Sequence, residues 1–345
     1  MWVVLLTIIV FGCIITIHEL GHFIAAKLND VKVNEFALGM GPKLFSIQKG
    51  ETKYSLRLLP IGGYVAMEGE DDTSKDERAF CNKSVWRRFI IVVAGALMNL
   101  ILGLIVLIIA FTPESYIPSN TVANFKKDAV SFESGLQIGD EFVKINGTRI
   151  FTDNDIVMAL LSGESADADI VVKRNGENIL LQDVHFQTSK PVVEGGKDQL
   201  YIDFSVQGLK NNAGNTLSYS VRRAISLGRM VWISLMDLVT GKVGFDQLSG
   251  PVGVGTVIGE AAGLGIQQLL ILVAFLTINV GIFNLLPIPA LDGGRLIFII
   301  IEAIRKKPIN RKYEAYIHAA GIIILFTLMI LITGKDIIRL IFPRK

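Results

Sequence analysis

The sequence predicts a polytopic α-helical membrane protein with about four transmembrane helices, a membrane-associated β-hairpin and one β-rich domain outside the bilayer. Composition, apolar run length and one change of character predict it. The 345 residues are 51% hydrophobic and 19% charged, with a mean hydropathy of +0.49, too apolar for the two soluble domains that length alone suggests. Four stretches, at about 1–28, 89–111, 266–291 and 316–333, approach the roughly 20 apolar residues that cross a hydrocarbon core. Between the second and the third the chain turns to Gly, Asn, Asp and short β-branched runs.

The first span, residues 1–28, lacks a basic leader and an Ala-x-Ala cleavage site and carries His and Glu at its end. It is expected to stay in the mature protein rather than leave as a signal peptide. Residues 29–88 form a loop in which 43–60 alternate apolar and polar on either side of Lys49-Gly50-Glu51, the pattern of a β-hairpin ending at Pro60. Lys83, Arg87 and Arg88 abut the second span, 89–111, and Arg305, Lys306, Lys307, Arg311 and Lys312 lie before the last. By the positive-inside rule both loops are cytoplasmic and the N-terminus is outside, although Lys335, Arg339, Arg344 and Lys345 in the tail pull the other way.

Residues 112–208 read as a folded β-rich domain outside the cytoplasm. Runs such as Asp169-Ile170-Val171-Val172-Lys173 are separated by Asn175-Gly176, a tight-turn dipeptide. Residues 209–262 form an amphipathic connector. Within it, 216–240 place apolar residues around Arg222, Arg223, Arg229 and Asp237, which suits an interfacial helix better than a fifth span. The third span with its exit falls at 263–294, and 295–345 hold the basic loop, the fourth span and the tail.

A net charge of +2 with scattered basic residues excludes a nucleic-acid footprint. Cys13 and Cys81 are too few for a disulfide framework or a cysteine metal site. Nothing in the sequence sets the oligomeric state.

The chemistry is concentrated in His18-Glu19-Leu20-Gly21-His22, an HExxH pentapeptide on a predicted helix. The i, i+4 spacing turns both imidazoles to one face and leaves Glu19 beside a metal as general base. Ionisable residues inside a span are rare and are a functional signal in themselves. Two histidines leave a catalytic zinc one protein ligand short. His185 falls in the β-rich domain, His318 lies early in the fourth span, and Asp292 is the most conspicuous carboxylate bordering a span. With the β-rich domain on one side of the membrane, the first and third spans run the same way. His18 follows about 26 Å of helix and Asp292 a similar apolar length, so both fall toward the cytoplasmic boundary. Pro287 and Pro289 before Asp292 cannot continue an ideal helix, and broken backbone at that depth is tolerated where it lines a wet cavity.

HExxH in the first span together with Asn284-Leu285-Leu286-Pro287-Ile288-Pro289-Ala290-Leu291-Asp292-Gly293-Gly294 in the third resembles the site-2 protease family, in its bacterial branch that cleaves anti-sigma factors and signal-peptide remnants. The resemblance covers nearly the whole chain. It extends to Leu59-Pro60-Ile61-Gly62-Gly63-Tyr64-Val65-Ala66-Met67-Glu68-Gly69-Glu70, similar to the family's membrane-associated β-loop, to Asn82–Arg88, and to Leu248-Ser249-Gly250-Pro251-Val252-Gly253. It departs at Ala94-Gly95-Ala96, where relatives usually carry Pro after Ala-Gly.

The resemblance implies Zn²⁺ held by His18, His22 and Asp292, Glu19 as proton acceptor, and Asn284 bonding a substrate backbone. It also implies a bacterial inner membrane location, the lipid bilayer as surroundings and single-span membrane proteins as substrates. Ser134-Gly135-Leu136-Gln137-Ile138-Gly139-Asp140, followed by Ile145-Asn146-Gly147, resembles the PDZ signature of bacterial proteases and implies one extracytoplasmic PDZ-like domain that selects substrates. The hairpin is a candidate edge for holding a substrate strand extended. A catalytically idle scaffold that binds partners through the PDZ-like domain is the competing expectation, and intact Glu19 and ligands disfavour it. A metal transporter would need polar residues at several depths, and an anchored soluble zincin would place HExxH outside the spans.

Overall fold

The structure is a computed structural model describing residues 2–70, 73–163, 165–189, 199–244, 248–307 and 309–341. Arg344 and Lys345, which enter the charge argument above, lie outside the described residues. Four described helices are long and apolar enough to cross a membrane: Trp2–Leu28, Val85–Phe111, Ile266–Leu285 and Lys312–Arg339. The chain divides into two compact units, Met1–Val106 with Met230–Lys345, and Leu107–Arg229.

In the first unit, α1 (Trp2–Leu28) leads into β1 (Val33–Lys49) and β2 (Thr52–Met67). The turn falls at Gly50-Glu51, with Gly50 at φ 61°, and the strands run well beyond the expected 43–60. The first half of β1 lies between the two halves of β2. Phe36 is opposite both Val65 and Tyr54, Ala37 both Tyr64 and Ser55, and Leu38 both Gly63 and Leu56. Gly63–Met67 is therefore an edge, while the hairpin arm exposes Leu44, Phe45, Ile47 and Leu58. Glu51 in the turn accepts Lys27 Nζ at 2.6 Å and two Arg78 nitrogens at 2.6 and 2.9 Å, which ties the hairpin to the end of α1.

α2 (Val85–Phe111) begins four residues earlier than the expected span. After the β-rich unit, the expected connector proves to be two helices, α4 (Ala213–Val239) and the apolar α5 (Pro251–Leu264). α5 opens on Pro251, because proline belongs in a first turn and not in a helix interior. Gly250 has no side chain to cap α5. Asp336 of α8 (Arg311–Ile341) does so instead, accepting the Gly250 and Gly253 N–H groups at 2.8 and 2.9 Å. α6 (Ile266–Leu285) stops well short of Asp292, which opens a separate helix, α7 (Asp292–Arg305). The third apolar stretch is thus a helix, a proline-containing loop and a second helix. One apolar cluster joins α1, α2, the hairpin base and α7 through Ala26, Val33, Val65, Ile91 and Leu296, and another packs Val10 and Ile14 of α1 on Ile258 of α5.

The second unit carries β3 (Tyr116–Phe125), β4 (Glu141–Ile145), β5 (Thr148–Arg149), α3 (Asp153–Leu161), β6 (Asp167–Arg174), β7 (Glu177–His185), β8 (Thr188–Ser189), β9 (Gln199–Leu200) and β10 (Phe204–Lys210). Its main sheet has the order β10-β3-β4-β6-β7, with β5 added to β4. Asn146-Gly147 and Asn175-Gly176 make the two tight hairpins with positive φ at both residues, as the dipeptides predict. The core gathers Val122, Phe142, Ile170, Val184 and Phe204. Asp140, fully buried, is matched by Arg174 Nε at 2.7 Å and Nη2 at 2.8 Å. At the base of the unit, Asn211 Nδ2 donates to the carbonyls of Phe111 and Glu114 at 3.0 and 2.7 Å, drawing the entry and exit of the domain together.

Candidate active site

α1 is helical through the HExxH run, and the spacing places His18 and His22 on one buried face, 8% and 9% exposed. His22 fits only because α2 carries Gly95 opposite it. A Cβ there would lie 2.3 Å from His22 Nε2. The departure at Ala94-Gly95-Ala96 thus keeps the residue the site depends on. His22 Nδ1 lies 2.8 Å from the Ile91 carbonyl. A carbonyl only accepts, so Nδ1 carries the proton and Nε2 holds the lone pair.

The opposing group arrives on the broken segment. The Leu286 N–H and Ile288 N–H bond Phe283 and Leu286 carbonyls in tight turns, and Ala290 adopts φ 76°. Proline at 287 and 289 removes the donors a helix would need there. Gly293 and Gly294 are required by the closeness of this loop: a Cβ would fall 1.8 Å from Leu286 O and 2.6 Å from Ile288 O, respectively. The result places Asp292 Oδ2 3.0 Å from His18 Nε2 and 3.2 Å from His22 Nε2, with the two Nε2 atoms 3.2 Å apart.

These three are the group of metal-capable side chains found among the described residues. Bonds of about 2.0–2.1 Å to a tetrahedral ion put donor atoms roughly 3.3 Å apart, close to the triangle observed. Asp292 Oδ2 is buried with no hydrogen-bond partner, as a ligand oxygen is before a cation arrives. Two imidazoles and one carboxylate fit Zn²⁺.

His18, Glu19, His22 and Asp292 line a cavity of about 570 Å³ whose other walls include Tyr64, Val65, Met67, Glu70 and Arg295. Gly63 of the edge strand passes beside Glu19, with only 3.3 Å between an added Cβ and Glu19 Cγ. Glu70 bridges strand and helix: its carboxylate accepts the Met67 N–H at 3.2 Å and pairs with Arg295. His318 also lines the cavity, but its Nδ1 accepts the Ala290 N–H at 3.1 Å and braces the loop. Asn284 sits half-buried in the last turn of α6 and does not line the cavity. His185 belongs to the second unit and pairs with Asp167 at 2.7 Å. Sequence reasoning passed over Glu70, Arg295 and the fully buried Asn99, although an asparagine inside an apolar span is itself a signal.

An HExxH helix of spanning length, with a carboxylate from a broken apolar segment beside its two histidines, has the donor set and setting of a membrane metalloprotease. The model of peptidase family M50 matches residues 6–328. The chain belongs to that family and is a zinc metalloprotease of the site-2 protease type. It is 32% identical to the regulator of sigma-W protease RasP of Bacillus subtilis, over 96% of this chain and 97% of that protein. A Clostridium perfringens protein carrying a provisional zinc metalloprotease name is 38% identical over 97% of this chain and 98% of its own. The zinc metalloprotease RasP of Bacillus licheniformis is 32% identical over 96% and 98%.

Proposed function

We propose that the chain hydrolyses peptide bonds within or near transmembrane segments of single-span membrane proteins in a bacterial inner membrane, with His18, His22 and Asp292 holding Zn²⁺. The observation that carries this reading is the convergence of three ligand atoms within 3.2 Å beside Glu19, in a cavity bordered by an edge strand. Zn²⁺, when bound, supplies Lewis-acid polarisation of the scissile carbonyl and makes water acidic enough to react near neutral pH. Glu19 accepts the proton of the attacking water and returns it to the amide nitrogen as the C–N bond breaks, leaving a carboxylic acid and an amine.

A transmembrane helix shields its own peptide bonds, so the substrate must be held extended before attack. The hairpin arm 43–60 was the expected edge; the pairing makes Gly63–Met67, beside Glu19, the better candidate to pair with a substrate strand. The exposed apolar side chains of the hairpin suit insertion among lipid tails. Asn284 is proposed to bond the substrate backbone where it enters past α6. The β-rich unit is read as a PDZ-like domain facing outward that excludes substrates with bulky outer portions. A relative named as a regulator of a sigma-factor response supports anti-sigma factors as one substrate class.

The test is cleavage of a model transmembrane peptide by the detergent-purified chain, with and without chelator. Chelator-sensitive cleavage inside the apolar segment is expected. Cleavage that survives complete removal of zinc rules the reading out.

A further inference from the structure

His22 has its tautomer set by the Ile91 carbonyl. His18 needs the same service. Its Nε2 points at Asp292 Oδ2 and His22 Nε2, and a ligand imidazole keeps its lone pair there and its proton on Nδ1. A buried Nδ1–H requires an acceptor. The side chain facing it is Asn99 of α2, fully buried, whose carboxamide comes within 3.4 Å of His18 Nδ1.

The amide nitrogen occupies the near position, and Asn99 Oδ1 is left buried without a partner. Nitrogen facing nitrogen is the wrong match. It would force the His18 proton onto Nε2, into the centre of the three ligand atoms, where it would oppose a cation. Turning the carboxamide by half a turn exchanges oxygen and nitrogen with almost no change of shape. That one rotation gives the orphaned oxygen a donor and the Nδ1–H an acceptor. The position of Asn99 is fixed from α6 as well: Thr277 Oγ1 donates to its backbone carbonyl at 3.3 Å, and Gly281 leaves room, an added Cβ lying 3.3 Å from Asn99 Cβ.

We infer that Asn99 is a positioning residue of the metal centre, presenting its carboxamide oxygen to His18 Nδ1–H and so holding His18 in the tautomer and orientation that ligate zinc. α2 then supplies both outer partners of the HExxH histidines, Ile91 to one and Asn99 to the other. This inference rests on the zinc site proposed above.

The experiment measures zinc affinity of the full chain in detergent by competition with a chromophoric chelator, for the parent, Asn99→Leu, Asn99→Asp and Asp292→Ala, with thermal melts alongside. Asn99→Leu, nearly isosteric but without an acceptor, is expected to weaken zinc binding by about 10- to 100-fold while still melting cooperatively. Asn99→Asp, which can only accept, is expected to bind zinc at least as tightly as the parent. A structural role for Asn99 would not separate the two. Parental affinity in the leucine variant, or equal loss in both, overturns the inference. A parent without zinc, or zinc retained in Asp292→Ala, instead overturns the ligand set. Should the leucine variant not fold, ¹⁵N-histidine spectra of the metal-free parent decide: only four histidines contribute, and the Nδ1–H form is expected for His18. The Nε2–H form overturns the inference.

Discussion

The two halves of the proposed metal site are built in opposite ways. His18 and His22 stand on an unbroken 27-residue helix, where periodicity alone turns them to one face. Asp292 stands at the first turn of a new helix, after a loop with two prolines and a positive-φ alanine. The helical half draws its geometry from regular hydrogen bonds and needs help only in orienting the rings. The loop half has few regular hydrogen bonds and draws its geometry from close packing, through Gly293, Gly294 and the bond from Ala290 to His318. A rigid half can be specified locally; a packed loop depends on every neighbour at once.

The largest effect is expected from removing the proposed ligand that the loop delivers. Asp292→Ala is expected to reduce zinc content to background and abolish peptide cleavage. His318→Ala, which loosens the loop without touching a ligand, should keep most of its zinc, as read by metal analysis after gel filtration. Metal content that follows His318 instead would exchange the roles assigned to the two residues.

Crowding each half comes next in size. Gly294→Ala drives a methyl against the Ile288 carbonyl, and Gly95→Ala drives one into His22. Each should destabilise the protein by about 1–3 kcal/mol and weaken zinc. Gly95→Ala should shift the His22 signals in the histidine ¹⁵N spectrum, and Gly294→Ala should leave them in place. Identical spectra for the two would mean that the halves are not independent.

A smaller effect is expected at the frame around α1. The Arg78 guanidinium, and after it Lys27, holds the Glu51 carboxyl down at about 2 from 4.5. A depressed carboxyl stabilises the fold fully above about 4.5, and that contribution fades as pH falls toward about 2. Proteolysis of the hairpin should therefore rise on acidification through this window, and Glu51→Gln should flatten the dependence. An unchanged profile in the variant would remove Glu51 as the tie.

The smallest effect on the metal site is expected from deleting 118–206 and joining the ends, which Asn211 already draws together. Zinc content should stay at the parental level and a short substrate should still be cut. A substrate with a large folded outer portion, refused by the parent, should become cleavable; indifference of the parent to outer size contradicts the filter.

How much of this was legible in the sequence follows the same division. HExxH, the tight-turn dipeptides and the four apolar runs were readable because each depends on residues close in the chain. The break at Leu285 was announced by Pro287 and Pro289, but the separate helix beginning at Asp292 was not, since an apolar run looks the same whether it is one helix or two. α5 was hidden for the same reason inside an expected amphipathic connector. The edge at Gly63–Met67 was missed because β2 pairs twice with β1, a register that only the folded ribbon reveals. Glu70 and Arg295 pair across 225 residues, beyond the reach of any local pattern, and Asn99, whose apolar surroundings are a local signal, faces a partner 81 residues away that no local pattern names.

Three side chains are proposed to hold zinc while a fourth moves the proton, and Glu19→Gln separates the two roles. Metal content and transmembrane peptide cleavage are measured on the same purified sample. One zinc per chain is expected, as in the parent, with cleavage lower by about 10²- to 10⁴-fold. Parental cleavage in this variant, or loss of the zinc along with the activity, would contradict it.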